Sequence, residues 1–481
     1  MAEALHSAGG DSKNLFSGLL LLLPWLLLEY RCSRSRFNFL MINLRYIFRL
    51  TRAFISRFKA LILVSMGLGI AFFFFIRYSL PLLSDSRLVR IGMTGRYTLS
   101  TLPNPILDMI GNGLTKLDSN GNVEPDLASS WETPDKGKTW TFILKNNLYW
   151  QDGKRVVSSG INYQFSDVVI ERPDDKTITF KLQNPYSAFP SVVSRPTFRS
   201  GLLGTGQFRV TDLSLNGSVV EQISMKKKDG ENIIYKFYPT EERTKLALEL
   251  GHVDKIVDVL DPSPFISWPK MKISEGSNTG QYVGVFLNTQ DNLFKDKSIR
   301  QALSYAINKD LLGGIRAIGP ISIDSWAYNP QVKPYGYDFA KAKATIDDYK
   351  KNAKAEEVSV NLSVTSILLK QAEIIAKDWE KVGIKVNLQV ISQIPSDYQA
   401  FLAIFDIPDD PDQYSMWHST QTATNITRYQ DPRIDKLLED GRSEINIDAR
   451  KRIYFDFQRF LVEDSPAVFL YYPTIYTIGR E

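Results

Sequence analysis

Across 481 residues, 43% apolar and 23% charged content is ordinary globular composition, and the length allows roughly two to four domains. The formal net charge of +5 does not mark a nucleic-acid surface: residues 1–84 take 10 of 58 basic and 3 of 53 acidic side chains, so the remainder balances 48 against 50. A lone Cys32 excludes an intramolecular disulfide and a cysteine metal cluster, while His6, His252 and His418 leave little for a histidine-built one; no P-loop, H-E-x-x-H or G-x-S-x-G motif occurs.

The N-terminal part predicts a membrane segment. ALILVSMGLGIAFFFFI (60–76) holds 17 residues without a charge, nearly enough helix to cross a ~30 Å hydrocarbon layer, and Tyr78–Leu83 can complete the span. Arg31, Arg34, Arg36, Arg45, Arg49, Arg52, Arg57 and Lys59 flank it upstream, which predicts a cytoplasmic N-terminus and an outside body. FIRYSLPLLSDS offers no small-x-small cleavage site and no cysteine for lipid attachment, so the run reads as an uncleaved signal anchor. The expected divisions are a basic cytoplasmic segment (1–59) and a transmembrane anchor (60–83). A start at Met41 would leave a shorter basic segment before the same anchor, and the 14-residue run at 15–28 is too short to span.

From about Arg87 the pattern is mixed α/β. TWTFIL (139–144) and TITFKL (177–182) alternate as half-buried strands, each reached through a turn-forming stretch, TPDKGK and ERPDDK. Ile299, Leu303, Ala306 or Ile307, and Leu311 fall at helical spacing in KSIRQALSYAINKDLL, with Gly313 as a stop. Leu368, Leu369, Ala372, Ile375, Ala376, Trp379 and Val382 line another helix closed by Gly383, and IKVNLQV (384–390) follows as a strand. RIDKLLEDG (433–441) and DARKRIYFDFQRFLVED (448–464) predict two amphipathic helices, the second buried through Ile453, Phe457, Phe460 and Leu461; AVFLYY then begins a strand. His252 falls in a solvated loop.

Between these elements LAIFDIPDDPDQYSMWHS (402–419) concentrates Asp406, Asp409, Asp410 and Asp412 beside Tyr414, Trp417 and His418. Four readings compete. A calcium loop lacks its turn glycine and 12-residue pattern, although His418 could serve a metal chelate. A catalytic acid pair lacks a partner nucleophile. A proline-stiffened solvated loop and the wall of a ligand cleft both remain.

Taken in order, NPILDMIGNGLTKLDSNGNVEPDLASSWE (104–132), TWTFILKNNLYWQDGK (139–154), GTGQFRV (204–210), YKFYPTEERTKLALELGHVD (235–254), YVGVFLNTQDNLFKDKSIRQALSYAINKDLL (282–312), YGYDFAKAKATI (335–346) and LVEDSPAVFLYYP (461–473) resemble the extracytoplasmic solute-binding proteins of family five, the oligopeptide- and dipeptide-binding class served by ABC transporters. The resemblance implies an α/β, two-lobed Venus-flytrap fold of the periplasmic type II kind, with lobe I at 87–270 completed by 467–481 and lobe II at 280–460. It implies a non-enzymatic receptor without cofactor or resident metal, partnered by a small solute such as an oligopeptide, an ABC permease and its ATPase, and the membrane through one helix, with no nucleic acid. A tethered sensor with the same fold, or an extracellular hydrolase, are the alternatives.

Two departures stand out. Family members usually follow W-x-D-G with a long insertion that forms a third, accessory lobe; here Trp150-Gln151-Asp152-Gly153 is followed by only residues 154–176 before TITFKL, so a reduced accessory lobe and a more open cleft are expected. Where peptide-binding members place an aspartate for the peptide's ammonium group, four residues before a proline, the position preceding Pro411 is Ile407. The expected ligand-binding residues are Tyr97 and Trp150 on lobe I, and Asp406, Asp409, Asp410, Asp412, Tyr414, Trp417 and Arg428 on lobe II. Trp150, which ends a strand pattern, fits a core position better than a ligand contact, and Arg428 a surface one.

Overall fold

The computed structural model describes residues 34–83, 88–392 and 397–480, so His6, Cys32 and the run at 15–28 lie outside the described residues. The chain divides into two compact units, 1–86 and 87–481. In the first, α1 (Arg34–Leu83) is one continuous helix whose side chains from Tyr46 to Phe75 are almost all exposed. Tyr46–Phe75 is long and apolar enough by length and composition to cross a membrane. The helix therefore begins upstream of the uncharged run and carries Arg49, Arg52, Arg57 and Lys59.

The second unit opens with β1 (Leu88–Thr94) and α2 (Asn104–Ile110), then the short pair β2 (Thr115–Leu117) and β3 (Val123–Pro125). A four-stranded antiparallel sheet follows, ordered β4-β5-β7-β6, from β4 (Ala128–Glu132), β5 (Thr139–Leu144), β6 (Val168–Glu171) and β7 (Thr177–Leu182). Its alternation is the one written in the sequence: Trp140, Phe142 and Leu144 of β5 point inward with Ile178 and Phe180 of β7, while Ile143 is exposed. After α3 (Phe189–Val192) come β8 (Phe208–Asn216), β9 (Val219–Lys227), β10 (Asn232–Tyr238), α4 (Glu241–Glu249), β11 (Lys255–Val259) and β12 (Met271–Ser277). With the last strand of the chain, β19 (Thr474–Arg480), they build a seven-stranded sheet, β12-β19-β11-β1-β10-β9-β8, the frame of lobe I.

Lobe II starts at β13 (Gln281–Leu287) and adds α5 (Lys297–Ala306), β14 (Ile315–Arg316), α6 (Phe339–Ala353), β15 (Val358–Thr365), α7 (Leu369–Lys381), β16 (Ile384–Ile391), β17 (Ala400–Asp406), α8 (Tyr414–Trp417), α9 (Pro432–Ser443), α10 (Ile447–Asp464) and β18 (Ala467–Tyr472). Its sheet runs β14-β18-β13-β17-β15-β16. β13 is covered on both faces: Val283, Val285 and Leu287 enter one core, Tyr282 and Phe286 the other, which is why its sequence is an almost unbroken apolar run. The last strand, β19 (Thr474–Arg480), returns to the sheet of lobe I between β12 and β11.

Several expectations need correction. Residues 467–481 do not all complete lobe I. β18 pairs with β13 in lobe II, and only β19 crosses over, the change falling at Pro473, because AVFLYY is buried on both faces and needs a central place in a sheet. The helix expected through Leu311 stops at Ala306: the Asn308 N–H is taken by Asp378 Oδ2 on α7 (2.9 Å), and residues 309–311 form a separate 3-10 turn. In α10 the buried face is Arg450, Tyr454, Phe457, Gln458, Leu461 and Val462, with Ile453 and Phe460 only half-buried, because polar partners from upstream segments, Asp410 and the Gly441 carbonyl for Arg450 and the Ala327 carbonyl and Asn329 N–H for Gln458, let both side chains turn inward. β16 is an edge strand, so Val386 and Leu388 are half-buried and Val390 is exposed.

Candidate functional site

Two chain crossings join the lobes, β12 to β13 through Asn278–Gly280 and β18 to β19 through Pro473, and the Asn278 N–H donates to the Pro473 carbonyl at 2.9 Å. Two adjacent short connections, one of three residues and one of a single residue, are the geometry of a hinge. Beside them opens a cavity of about 220 Å³, lined by Leu117 and the turn Asp118–Gly121 of lobe I, Thr279 and Gly280 of the crossing, and Ser322, Asp324, Ser325, Ile407, Pro408 and Asp409 of lobe II.

Local chemistry fixes each wall. In the β2–β3 turn, Asp118 accepts from the backbone N–H groups of Asn120 and Asn122 (both 2.8 Å) and from Asn122 Nδ2 (2.9 Å). Those donors hold its carboxyl below the usual range, the Asn122 side chain contributing most. Gly121 has φ +78, and a Cβ there would stand 3.1 Å from the Asp409 carbonyl, so the turn approaches lobe II at backbone distance. Trp326 N–H donates to the Asn120 carbonyl at 2.9 Å, a second contact between lobes. Across the crossing, Thr279 Oγ1 donates to Asp324 Oδ2 (2.6 Å) and Ile407 N–H to the Gly280 carbonyl (2.8 Å).

The acid-proline run divides along its length. Asp406, at the exposed end of β17, accepts from Gln281 Nε2 at 2.6 Å. Asp409 faces the cavity, its carboxyl raised above the usual range by desolvation and then by the charge of Asp410. Asp108 on α2 is also raised, by desolvation and then by Asp409. Ile407, the position at which the resemblance leads one to expect an acid in a peptide binder, is buried and lines the cavity.

The later members of the run have other work. Asp410 accepts both guanidinium nitrogens of Arg450 (2.8 and 2.5 Å), and Asp412 accepts Arg442 Nε at 3.0 Å. Trp417 is 2% exposed, donating Nε1–H to Gln413 Oε1 (2.9 Å) in the core beside Phe469. Trp150 is 3% exposed in the core of the small sheet. These four expected contacts are corrected on one ground: their polar atoms or rings are already occupied by the protein's own interior. Tyr414 is half-buried, stacked on His418 with centroids 4.1 Å apart. Arg428 lies 5.9 Å over the Tyr398 ring and does not line the cavity. Tyr97 packs edge-on against Phe237 and donates to the Thr94 carbonyl (2.9 Å). Its hydroxyl is raised by burial, then by the charges of Asp258 and Asp406, and it does not line the cavity.

Residues 118–121, 279–280 and 322–325 escaped sequence reading as site residues. SNGN and NTGQ carry turn signals, but a turn signal does not tell which turn faces a cleft. Burial of His418, with Nε2 3.4 Å from Glu439 Oε1, keeps it away from the cavity, and no cluster of three ligating His, Cys, Asp or Glu side chains occurs among the described residues.

The model for bacterial extracellular solute-binding proteins, family 5 Middle, matches residues 122–169 and 157–425. The chain is 23% identical over 414 residues to the probable D,D-dipeptide-binding periplasmic protein DdpA of Escherichia coli, covering 73% of this chain and 79% of that one. It is 23% identical over 452 residues to the oligopeptide-binding protein AppA of Bacillus subtilis, covering 78% and 83%. Among solved structures, NikZ of Campylobacter jejuni in complex with Ni(L-His) superposes with a TM-score of 0.66 at 21% identity, over 82% of this chain and 94% of that one. AppA of Bacillus subtilis in complex with a nonapeptide gives 0.63 at 20%, over 82% and 95%. With the two-lobed fold, the paired crossings and a family model matched over more than half its length, this chain belongs to the bacterial extracellular solute-binding proteins of family 5.

Proposed function

We propose that the protein is a membrane-anchored, extracytoplasmic receptor of an ABC importer that captures a small solute between its lobes and passes it, unaltered, to a permease. The anchor is α1, with residues 1–59 in the cytoplasm and residues 60–83 in the membrane. The observation that carries this reading is the cavity beside the hinge, walled by both lobes. Closing a hinge over such a space removes water from a solute, and the solute's greater affinity for the closed form supplies the driving energy. Pockets for drug-sized ligands measure roughly 300–1,000 Å³, so a cavity of about 220 Å³ fits a short peptide or an amino-acid-sized solute better than a nonapeptide. Asp409, with Asp406 and Tyr97 near, offers a cationic group its partner, and Ile407 gives an apolar wall in place of the missing acid.

The test is binding by the full chain in detergent, screened by thermal shift against di- to nonapeptides, amino acids and histidine–nickel chelates. A shift with short peptides or amino-acid-sized solutes is expected, and Asp409→Asn should weaken any cationic one; silence across the whole set would count heavily against the reading. Alkaline carbonate extraction of native membranes checks the anchor: the protein stays in the pellet if α1 spans, and its release would remove that part.

A further inference from the structure

The lobes also meet apart from the crossings and the cavity. The C-terminal end of α9 has carbonyls without intrahelical partners, and lobe I supplies them: Ser187 N–H donates to the Arg442 carbonyl at 2.8 Å and Ser187 Oγ to that of Gly441 at 3.2 Å. The Arg442 guanidinium is held by Asp412 of its own lobe, lies 4.2 Å over the Tyr414 ring, and reaches 5.0 Å over the ring of Tyr186 on the opposite lobe. Both sides of this sandwich are braced. Tyr414 is backed by His418. Tyr186 is fixed by its N–H to the Gly137 carbonyl (3.0 Å) and by Trp140 Nε1–H donating to its own carbonyl (3.1 Å). Gly137, at φ +91, lets the strand turn lie against Ile445: a Cβ there would be 3.1 Å from Ile445 Cδ1.

We propose that Arg442 is a positioning residue for solute capture: through Tyr186 it latches the two lobes, setting the population of the closed form without touching solute. On opening, the Arg442–Asp412 and Arg442–Tyr414 contacts travel together with lobe II, while the Tyr186 ring and the two Ser187 bonds separate. The latch energy therefore resides in contacts that differ between open and closed, the only kind that shifts such an equilibrium. A partly desolvated cation–π contact changes the closed-to-open ratio by about tenfold. Tyr186 follows the last strand of the small four-stranded sheet and packs against its core, and from there it reaches lobe II.

The inference rests on the receptor reading only for its consequence on affinity, and its test uses no solute. In the full chain with Cys32→Ser, cysteines placed at the exposed positions Lys154 on lobe I and Lys377 on lobe II carry spin labels for distance measurement after exhaustive dialysis. Without solute, the wild type should show a short-distance population; Tyr186→Leu should lower the short-to-long ratio by about tenfold, and Tyr186→Phe, which keeps the ring, should restore it. Thermal melts of the two variants should coincide, separating a latch from a folding defect. A wild-type distribution that is already long, or one that Tyr186→Leu leaves unchanged, overturns the latch and leaves the receptor reading untouched. An empty binding screen would do the reverse.

Discussion

Residues 406–409 and 410–417 are neighbours in sequence and opposites in environment. The first stretch ends β17 beside the cavity, with Asp406 and Asp409 exposed and the backbone of Ile407 tied to the crossing at Gly280. The second turns inward: Asp410 and Asp412 are paired with arginines from α10 and α9, and Trp417 fills the core. A carboxylate's role in this run is decided by whether a guanidinium stands behind it. Those guanidiniums come from 30 and 40 residues downstream.

Breaking the inward half should have the largest effect. Arg450 is 4% exposed and forms a bidentate pair with Asp410 while donating Nε–H to the Gly441 carbonyl. Arg450→Ala strands a buried carboxylate and should cost about 3–5 kcal/mol in denaturant unfolding. Arg450→Met with Asp410→Leu removes both charges together and should recover most of that loss; a double variant as unstable as the single one would mean that the pair is not the cause. Trp417→Ala, which empties a ring-sized volume and frees Gln413, should cost about 3–5 kcal/mol, and Trp150→Ala as much in the core of the small sheet. If Trp150→Ala instead weakened solute binding with unfolding unchanged, its placement in the core would fail.

The same contrast marks what the sequence allows to be read. Strands β5 and β7, helices α7, α9 and α10 and strand β18 are visible in local periodicity, because alternation and 3.6-residue spacing record which face meets a core. The ordered family signatures make the two-lobed plan readable as well. Site membership is another matter. Trp150 and Trp417 have the composition of ligand platforms, and only the packing of distant segments, Gly160 over one ring and Phe469 beside the other, settles that both are interior. The inward turn of Arg450 and Gln458 likewise defeats a hydrophobic-stripe reading of α10, since a polar residue is buried only when partners from elsewhere satisfy it. Pro473, where the chain changes sheets, looks like an ordinary strand break.

The outward half offers the finer test, through pH. Asp409 is raised by desolvation and by Asp410, and Asp108 by desolvation, then Asp409 and Asp126. A carboxyl whose folded pKa exceeds its unfolded value binds more protons in the folded chain, so its stabilising contribution is fully present below the unfolded pKa and is lost as pH rises through the folded one. Asp409→Asn removes that loss and should make the ligand-free protein slightly more stable than wild type at neutral pH, with the gap closing toward pH 4. Asp412→Asn, which weakens the pairing of a buried carboxylate with the partly exposed Arg442, should go the other way and destabilise at neutral pH. Melting both variants across pH 4 to 8 checks the pair of signs. Asp409→Asn falling below wild type at neutral pH would place this carboxylate with the structural acids, and would leave the cavity wall without the one member of the run that the fold keeps free of a guanidinium and turned toward the cavity.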